Sequence, residues 1–420
     1  MMNAVLAHWL PYRLRRLALA LWVSSLFLTP WADAATGKLL IVGGGITSVE
    51  GEVWRVMLES RLGGRPIGII STASAQPETA GVPLADQLNQ EYGAGSAVFV
   101  PVGVAGSTAD DAAVVEIVRA CGGFFFTGGQ QERSARAFFR EDGGMTAALS
   151  AVHELHRQGA IIGGSSAGAA IMSDPMILGG TSADALRHGV VAADAPKETR
   201  GVRVGRGLGF HPGVLYCQHH LERGRFGRLL TALVGGRTPF TAGVGIAEDT
   251  AWLVDVERQT GTVLGAKAVL YLDARQAARD EGGAVSGVRL HYLGAGDSMR
   301  LDTGEITPGA GKERWKPEPD GRLTVETDDA WRRDALRELL LDMAEAGTPL
   351  ACARDAFHEL RFRRLEDTVF WRQPGAPRTA PGGWTLTHLD VAVVPMKPND
   401  LDGKTGIPDG KGSFMLASRG

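Results

Sequence analysis

The chain has 420 residues, with 44 basic and 47 acidic side chains and a formal net charge of −3. That near-balance excludes a protein held to nucleic acid by bulk electrostatics, because phosphate neutralisation needs a concentrated Lys/Arg surplus. The 44% hydrophobic and 22% charged composition excludes wholesale disorder, and 57 glycines without a three-residue period point to a loop-rich globule rather than collagen.

Residues 1–35 read as a leader. Arg13, Arg15 and Arg16 precede the uncharged run Leu17 to Leu28, and Pro30 leads into the small-x-small pattern Ala32-Asp33-Ala34. The 12 residues of that run rise only about 18 Å as a helix, short of a ~30 Å hydrocarbon core. A cleaved secretory signal is therefore expected rather than an anchor. Cleavage after Ala34 removes three arginines and one aspartate and takes the net charge to −5. No later stretch reaches the ~18 apolar residues of a membrane helix, so a secreted or periplasmic chain without membrane contact is expected.

From Lys38 short apolar runs alternate with helix-like segments. The runs are Leu39 to Val42, Ile67 to Ile70, Ala97 to Val100, Phe124 to Phe126 and Ala160 to Ile162. Continuous apolar runs between helices mark strands buried on both faces. The expected fold is α/β, a mostly parallel sheet flanked by helices, over residues 36–348. Sites in such sheets lie at the strands' carboxyl ends. Further strands are expected at Val244 to Ile246, Trp252 to Val256, Thr262 to Leu272 and Val288 to Leu293. A helix capped by Asp328 or Asp329 should run from Trp331 to Ala346 and stop at Gly347 and Pro349. Residues 349–420 read as a C-terminal extension, with a Pro/Gly-rich linker at 372–383 and an appendage from Trp384.

Three cysteines, Cys121, Cys217 and Cys352, leave at least one thiol free. Their spacing, and the lack of HExxH, make a metal site unexpected, and no cofactor is implied. Gly43-Gly44-Gly45 lacks the later glycine of a dinucleotide fingerprint and reads as a plain strand-to-helix turn. Asn399 to Gly403 lacks the ligand spacing of a calcium loop and reads as Asx turns.

The strongest chemical signal is Gly163-Gly164-Ser165-Ser166-Ala167-Gly168. Read as G-x-S-x-G after a strand and before a helix, it puts Ser166 on a sharp turn with its hydroxyl projecting above the sheet. The Ala167 N–H then points where a tetrahedral oxyanion would form. A nucleophilic serine needs a base, and a base an orienting acid. His219 and His220 lie in a polar segment with Arg223, Arg225 and Arg228, at spacings that would place His219 and Arg223 on one helix face. Glu248 ends an apolar strand and is the acid candidate. Thr127-Gly128-Gly129-Gln130-Gln131 follows another strand. Its Gly-Gly turn can supply a second oxyanion donor, and its Gln amide can hold a peptide group.

These four segments, in this order, resemble the cyanophycinase family of serine peptidases, with peptidase E a more distant relative. The family's Phe-x-Gly-Gly-Asp-Gln loop, Gly-Thr-Ser-Ala-Gly-Ala elbow, Asp-Gln-His-Phe segment and Gly-Ile-Gly-x-Asp-Glu strand end read here as Phe126 to Gln131, Gly164 to Ala169, Cys217 to His220 and Gly243 to Glu248. The resemblance spans about Lys38 to Ala346. It implies a class I glutamine amidotransferase-like fold and a homodimer. It makes Ser166 the nucleophile, His219 the base and Glu248 its orienting acid, with Gln131, Gln218, Arg223, Arg225 and Arg228 in the substrate pocket. The implied reaction is metal-independent hydrolysis of cyanophycin, a poly-aspartate bearing arginine on each β-carboxyl, to β-Asp-Arg dipeptides. Two other functions are compatible with the same residues: a peptidase E-like dipeptidase acting on short aspartyl peptides, and a secreted binding protein on an inactive scaffold. Four family residues are exchanged. Gln130, Cys217 and Ala247 replace aspartates, and His220 replaces phenylalanine, which bears directly on how an arginine side chain would be held.

Overall fold

The computed structural model describes residues 37–396 apart from 104, 105, 107, 319, 320, 378 and 379. The expected leader and the turns at Asn399 to Gly403 lie outside the described residues. Within them the chain begins as an alternation of strand and helix. These elements are β1 (Lys38–Val42), α1 (Glu50–Glu59), β2 (Ile67–Ile70), α2 (Pro77–Tyr92), β3 (Ala97–Phe99), α3 (Ala112–Ala120), β4 (Gly123–Phe126), α4 (Gln131–Phe138), α5 (Ala147–Arg157), β5 (Ile161–Ser165) and the single turn α6 (Ala167–Ala170). Strand period two explains why each run is apolar throughout. Leu39, Ile41, Phe124 and Phe126 face one buried cluster. Leu40, Val42 and Phe125 face another, under Trp54 and Met57 of α1.

A middle section follows: β6 (Met176–Gly179), α7 (Ser182–His188), β7 (Val190–Ala192), β8 (Val202–Gly205), β9 (Val214–Cys217), α8 (Phe226–Val234) and β10 (Ala242–Ile246). The remainder is largely strand. It runs through β11 (Thr250–Asp255), β12 (Thr260–Gly265), β13 (Ala268–Asp273), β14 (Ala278–Arg279), β15 (Val285–Gly294), β16 (Ser298–Arg300), β17 (Ile306–Thr307), β18 (Glu313–Trp315) and β19 (Thr324–Thr327). After helix α9 (Ala335–Ala346) come β20 (Leu350–Arg354), β21 (His358–Arg363), β22 (Val369–Arg372) and β23 (Trp384–Pro395).

Among the described residues these strands form three sheets. The first has the order β17-β16-β12-β11-β1-β5-β4-β2-β3, the second has the main path β19-β20-β21-β23-β15-β13-β10-β9, and β6, β8 and β7 make a small third. The fold is α/β, but the expectation of a mostly parallel sheet needs correction. Parallel pairing joins β1, β5, β4, β2 and β3, and recurs at β9–β10, β7–β8 and β19–β20. The other neighbours are antiparallel, because after β10 the chain returns mostly through short turns with no room for a crossover.

Two further expectations change. Thr262 to Leu272 is two strands, β12 and β13, which separate into different sheets at Gly265 (φ 92). The segment from Trp384 is no appendage. β23 pairs with β15, β21 and β22, and Trp384 is fully buried with its ring against Trp315. The proline- and glycine-rich stretch before it connects two adjacent strands of one sheet rather than two bodies. Residues 350–395 therefore complete the second sheet, and α9 packs with it around Leu270, Leu290, Leu340 and Phe362.

A buried ion pair fastens this C-terminal part to the rest. Asp297, fully buried, accepts from Lys312 Nζ (2.7 Å), the Gly294 and Gly309 N–H groups (2.7 Å each) and Thr385 Oγ1 (2.6 Å). Burial pushes the carboxyl up and the amine down, and the charge of each partner opposes that shift in the other. Removing one partner leaves an uncompensated buried charge, which costs about 3–5 kcal/mol. Lys312→Met is accordingly expected to lower stability by about that amount, read as a shift in urea midpoint at unchanged slope.

Candidate active site

Five strand ends converge on one spot. Gly43 to Gly45 follow β1, Thr127 to Gln131 follow β4, Ser166 follows β5, Gln218 and His219 follow β9, and Ala247 and Glu248 follow β10. Ser166 sits at φ 55 and ψ −109, a conformation that costs a non-glycine residue on the order of 1–3 kcal/mol. Small neighbours make the turn feasible. A Cβ at Gly168 would collide with the Phe126 carbonyl, and one at Gly164 with the Gly168 backbone.

The turn aims the Ser166 hydroxyl at an imidazole. Ser166 Oγ lies 2.7 Å from His219 Nε2, and His219 Nδ1 lies 2.8 Å from Glu248 Oε1. One tautomer satisfies both contacts: Nδ1–H donates to the carboxylate while Nε2 accepts from the serine. His219 is itself strained, at φ 49, and its N–H donates to the Gly43 carbonyl at 2.8 Å. Burial pushes the imidazole down to about 4, aided by the charges of Arg223 and Arg225 and opposed by Glu248. It is therefore neutral near pH 7. Burial alone would raise the Glu248 carboxyl. Its hydrogen bond to His219 and the charges of Arg333 and Lys267 reverse this and hold it below the usual carboxylate range. Arg333 reaches Glu248 Oε2 at 3.4 Å from the segment before α9.

Three features were not foreseen from the sequence. The glycine triplet after β1 cradles the pair: a Cβ at Gly44 (φ 101) would enter the His219 ring, and one at Gly45 would press on Glu248. Glu222, whose side chain is fully buried, accepts from the Glu248 N–H (2.9 Å) and from Lys267 Nζ (2.6 Å). It fixes where the acid sits without touching the imidazole. Asp249, next in sequence, accepts from the Thr47 and Val49 N–H groups and the Ser48 hydroxyl, tying the β10 end to the start of α1. An acid two residues past His220 was the available signal for Glu222. Nothing in the spacing indicated its partner.

Glu222→Gln is expected to cut kcat by about 10- to 100-fold, since a 1 Å misplacement in a site can cost ~10²-fold. KM should move little, and Lys267→Met added to it should restore part of the loss by removing the stranded cation. Steady-state kinetics of both variants, at matched Tm, provide the check.

The proposed oxyanion donors surround the serine. No backbone hydrogen bond among the described residues uses the N–H groups of Gly128, Gly129 or Ala167. Gly128 is tight against Ser166, where an added Cβ would lie 3.3 Å from the serine Cβ. Gly129 adopts φ 142, and a Cβ there would collide with the Ala73 carbonyl.

Gln131, Gln218, Arg223, Arg225 and Arg228 all line one cavity of about 500 Å³ beside Ser166 and His219. They are not equivalent. Gln131 spends its amide nitrogen on the Ile177 and Leu178 carbonyls (2.9 Å each), so it holds the cavity wall. Arg223 is exposed, with Nε 3.9 Å from Glu248 Oε1. Arg225 donates to the Gln218 carbonyl at 2.8 Å, and Arg228 is buried. The expected helix through His219 and Arg223 is absent. Residues 218–224 form turns, and α8 begins only at Phe226. The chain turns at Gly224 (φ 52), where a Cβ would collide with the Trp331 backbone, while Gly227, inside α8, leaves room for the Trp331 ring.

The opposite wall was also missed. Lys197 to Arg200 line the cavity, and the loop leading to them is held by Arg203. Its guanidinium donates to the carbonyls of Ala192, Ala193, Ala195 and Pro196.

No family model matches the chain. A cyanophycinase of Synechococcus elongatus is 30% identical over 281 residues, covering 64% of this chain and 81% of its own length. The chain belongs to the cyanophycinase family. A cyanophycinase from Thermosynechococcus vestitus shows the same identity and coverage, and one from Nostoc is 28% identical over 287 residues, 66% of this chain and 89% of its own. Among solved structures, a peptidase from an acI-B1 Actinobacterium superposes at a TM-score of 0.42 with 19% identity, over 56% of this chain and 91% of its own. Membership of the cyanophycinase family supports a peptidase as the coarse activity.

All four family exchanges can be located. Gln130 is exposed at the start of α4. Cys217 is buried, and its sulfur accepts from Arg228 Nε at 3.3 Å. Ala247 is fully buried in the cluster behind α8. His220 is buried edge-on to Phe226 with both ring nitrogens unpartnered, and burial pushes it down to about 3, so it is a neutral packing ring. The three cysteines are all buried, free thiols.

Proposed function

We propose that the chain is a serine peptidase that cleaves an aspartyl amide bond through an acyl-enzyme at Ser166. The observation that carries this reading is the continuous Ser166–His219–Glu248 hydrogen-bond row on a strained strand-to-helix turn. His219 Nε2 takes the hydroxyl proton as Oγ bonds to the scissile carbonyl carbon, and the negative charge on the carbonyl oxygen faces the free N–H groups of Ala167 and the Gly128-Gly129 loop. The C–N bond then breaks as the imidazolium returns its proton to the leaving amine. Water, deprotonated by the same imidazole, attacks the ester, and the acid product leaves with Ser166 regenerated. Glu248 stays ionised throughout and stabilises the imidazolium.

Family membership makes cyanophycin the first polymer to consider, with β-Asp-Arg as product. The second reading, a dipeptidase on short aspartyl peptides, is favoured by the charge of the cavity. Its lining offers Lys197, Arg200, Arg203, Arg223, Arg225 and Arg228 against only Asp184 and Glu198 as acids. The class I glutamine amidotransferase-like assignment belongs with the same proposal, resting on the parallel strands that present Ser166. So do export, which rests on residues 1–35, and a homodimer, which rests on the family resemblance. Mass spectrometry of products from cyanophycin and from aspartyl dipeptides, with and without Ser166→Ala, tests the reaction. Release of products by the parent chain alone supports it, and equal release by Ser166→Ala overturns it.

A further inference from the structure

The cavity is lined by two guanidinium groups, Arg225 and Arg228, that have no carboxylate partner among the described residues. Arg228 is 3% exposed. Its Nε donates to the Cys217 sulfur (3.3 Å), its Nη1 to the Gly180 carbonyl (3.4 Å), and its Nη2 is buried with no partner among the described residues. Arg225 donates to the Gln218 carbonyl, and no carboxylate pairs with either arginine among the described residues. Burial, and after it the Arg228 charge, bring Arg225 down to about 10.

The acids nearby are engaged elsewhere. Glu248 is held by His219 and Arg333. Asp184 accepts from the Thr181 hydroxyl (3.0 Å) and sits 4.0 Å from Arg200, while Glu198 lies on the exposed outer loop. Gln218, which lines the same cavity, is 4% exposed, and its Oε1 is buried without a partner among the described residues. This part of the cavity thus lacks one anion and one N–H donor. A buried unpaired charge is costly and is normally compensated by something that binds.

We infer that this site takes an aspartyl peptide whose second residue is acidic, with a substrate carboxylate acting as the missing counter-ion of Arg228. The inference rests on the serine peptidase reading and narrows its substrate class. A guanidinium in that place would meet the two like charges of Arg225 and Arg228 with no carboxylate to receive it. A carboxylate accepts from Arg228 Nη2 in charge-assisted geometry, and the adjoining substrate N–H donates to Gln218 Oε1. Cys217 is then the residue that sets the preference, because an aspartate there would neutralise Arg228 from within the protein.

The test compares aspartyl dipeptides, in both α- and β-linkage, ending in Glu, Gln or Arg. The expected result is a kcat/KM at least about tenfold higher for Glu than for its isostere Gln, with Arg lowest. Arg228→Met should abolish that preference, and Cys217→Asp should shrink or reverse it, each at a Tm showing a folded chain. Binding of glutarate against glutaramate to Ser166→Ala, by calorimetry, reads the same preference without turnover. Arg peptides cleaved as well as Glu peptides, a preference that survives Arg228→Met, or equal binding or no binding of the two probes would overturn the inference. Hydrolysis persisting in Ser166→Ala would instead overturn the serine mechanism, while the calorimetry still judges the anion subsite.

Discussion

Ser166→Ala is expected to lower kcat by about 10⁵- to 10⁶-fold, the scale seen when a serine nucleophile is removed from a complete triad. The size follows from what remains. The oxyanion donors and the cavity survive, so residual catalysis of about 10³- to 10⁴-fold over water persists at most. Alanine keeps the Cβ that the φ 55 turn already accommodates. Stability should therefore change by only about 1 kcal/mol, the net worth of the single hydrogen bond to His219 Nε2 that is lost. Paired kinetics and thermal unfolding on one preparation separate lost chemistry from lost fold. A variant that retains a tenth of the activity would rule out Ser166 as the nucleophile.

Glu248→Gln ranks second, with an expected loss in kcat of about 10⁴-fold. The amide removes the charge that stabilises the imidazolium and can present an N–H to Nδ1, which selects the wrong tautomer. The pH dependence supplies an independent reading. Activity of the parent chain requires neutral His219, so kcat/KM should hold down to low pH and fall as pH drops through about 4. Glu248 favours the protonated ring. Its replacement should therefore move that acid limb to lower pH rather than higher. An acid limb near the ordinary histidine value of about 6.5 in the parent chain would contradict the account of a buried, arginine-flanked imidazole.

The central parallel strands β2, β4 and β5 were legible because each is buried on both faces, which leaves an apolar run such as Phe124 to Phe126. Ser166 was legible because a tight turn restricts its neighbours to glycine, serine and alanine, and that restriction is written in the sequence. The antiparallel half was harder to read. Thr262 to Leu272 is one apolar run on paper, yet Gly265 turns it into two strands of different sheets. Trp384 to Pro395 alternates like a strand, but the prolines and glycines before it mimic a linker, and only long-range pairing with β15 and β21 reveals its place. The same limit applies to the site. Glu222, Lys267 and the Gly43 to Gly45 cradle come from separate stretches of chain, and what links them is a close approach in space that spacing along the chain does not encode.

The central claim is that Ser166 is an activated nucleophile. It is tested most directly by treating the folded chain with a serine-directed fluorophosphonate and measuring intact and peptide masses. The account predicts one covalent adduct per chain, carried on the peptide containing Ser166, absent in Ser166→Ala and formed far more slowly in His219→Ala. A folded parent chain that stays unlabelled, or an adduct that maps to another residue, would contradict it.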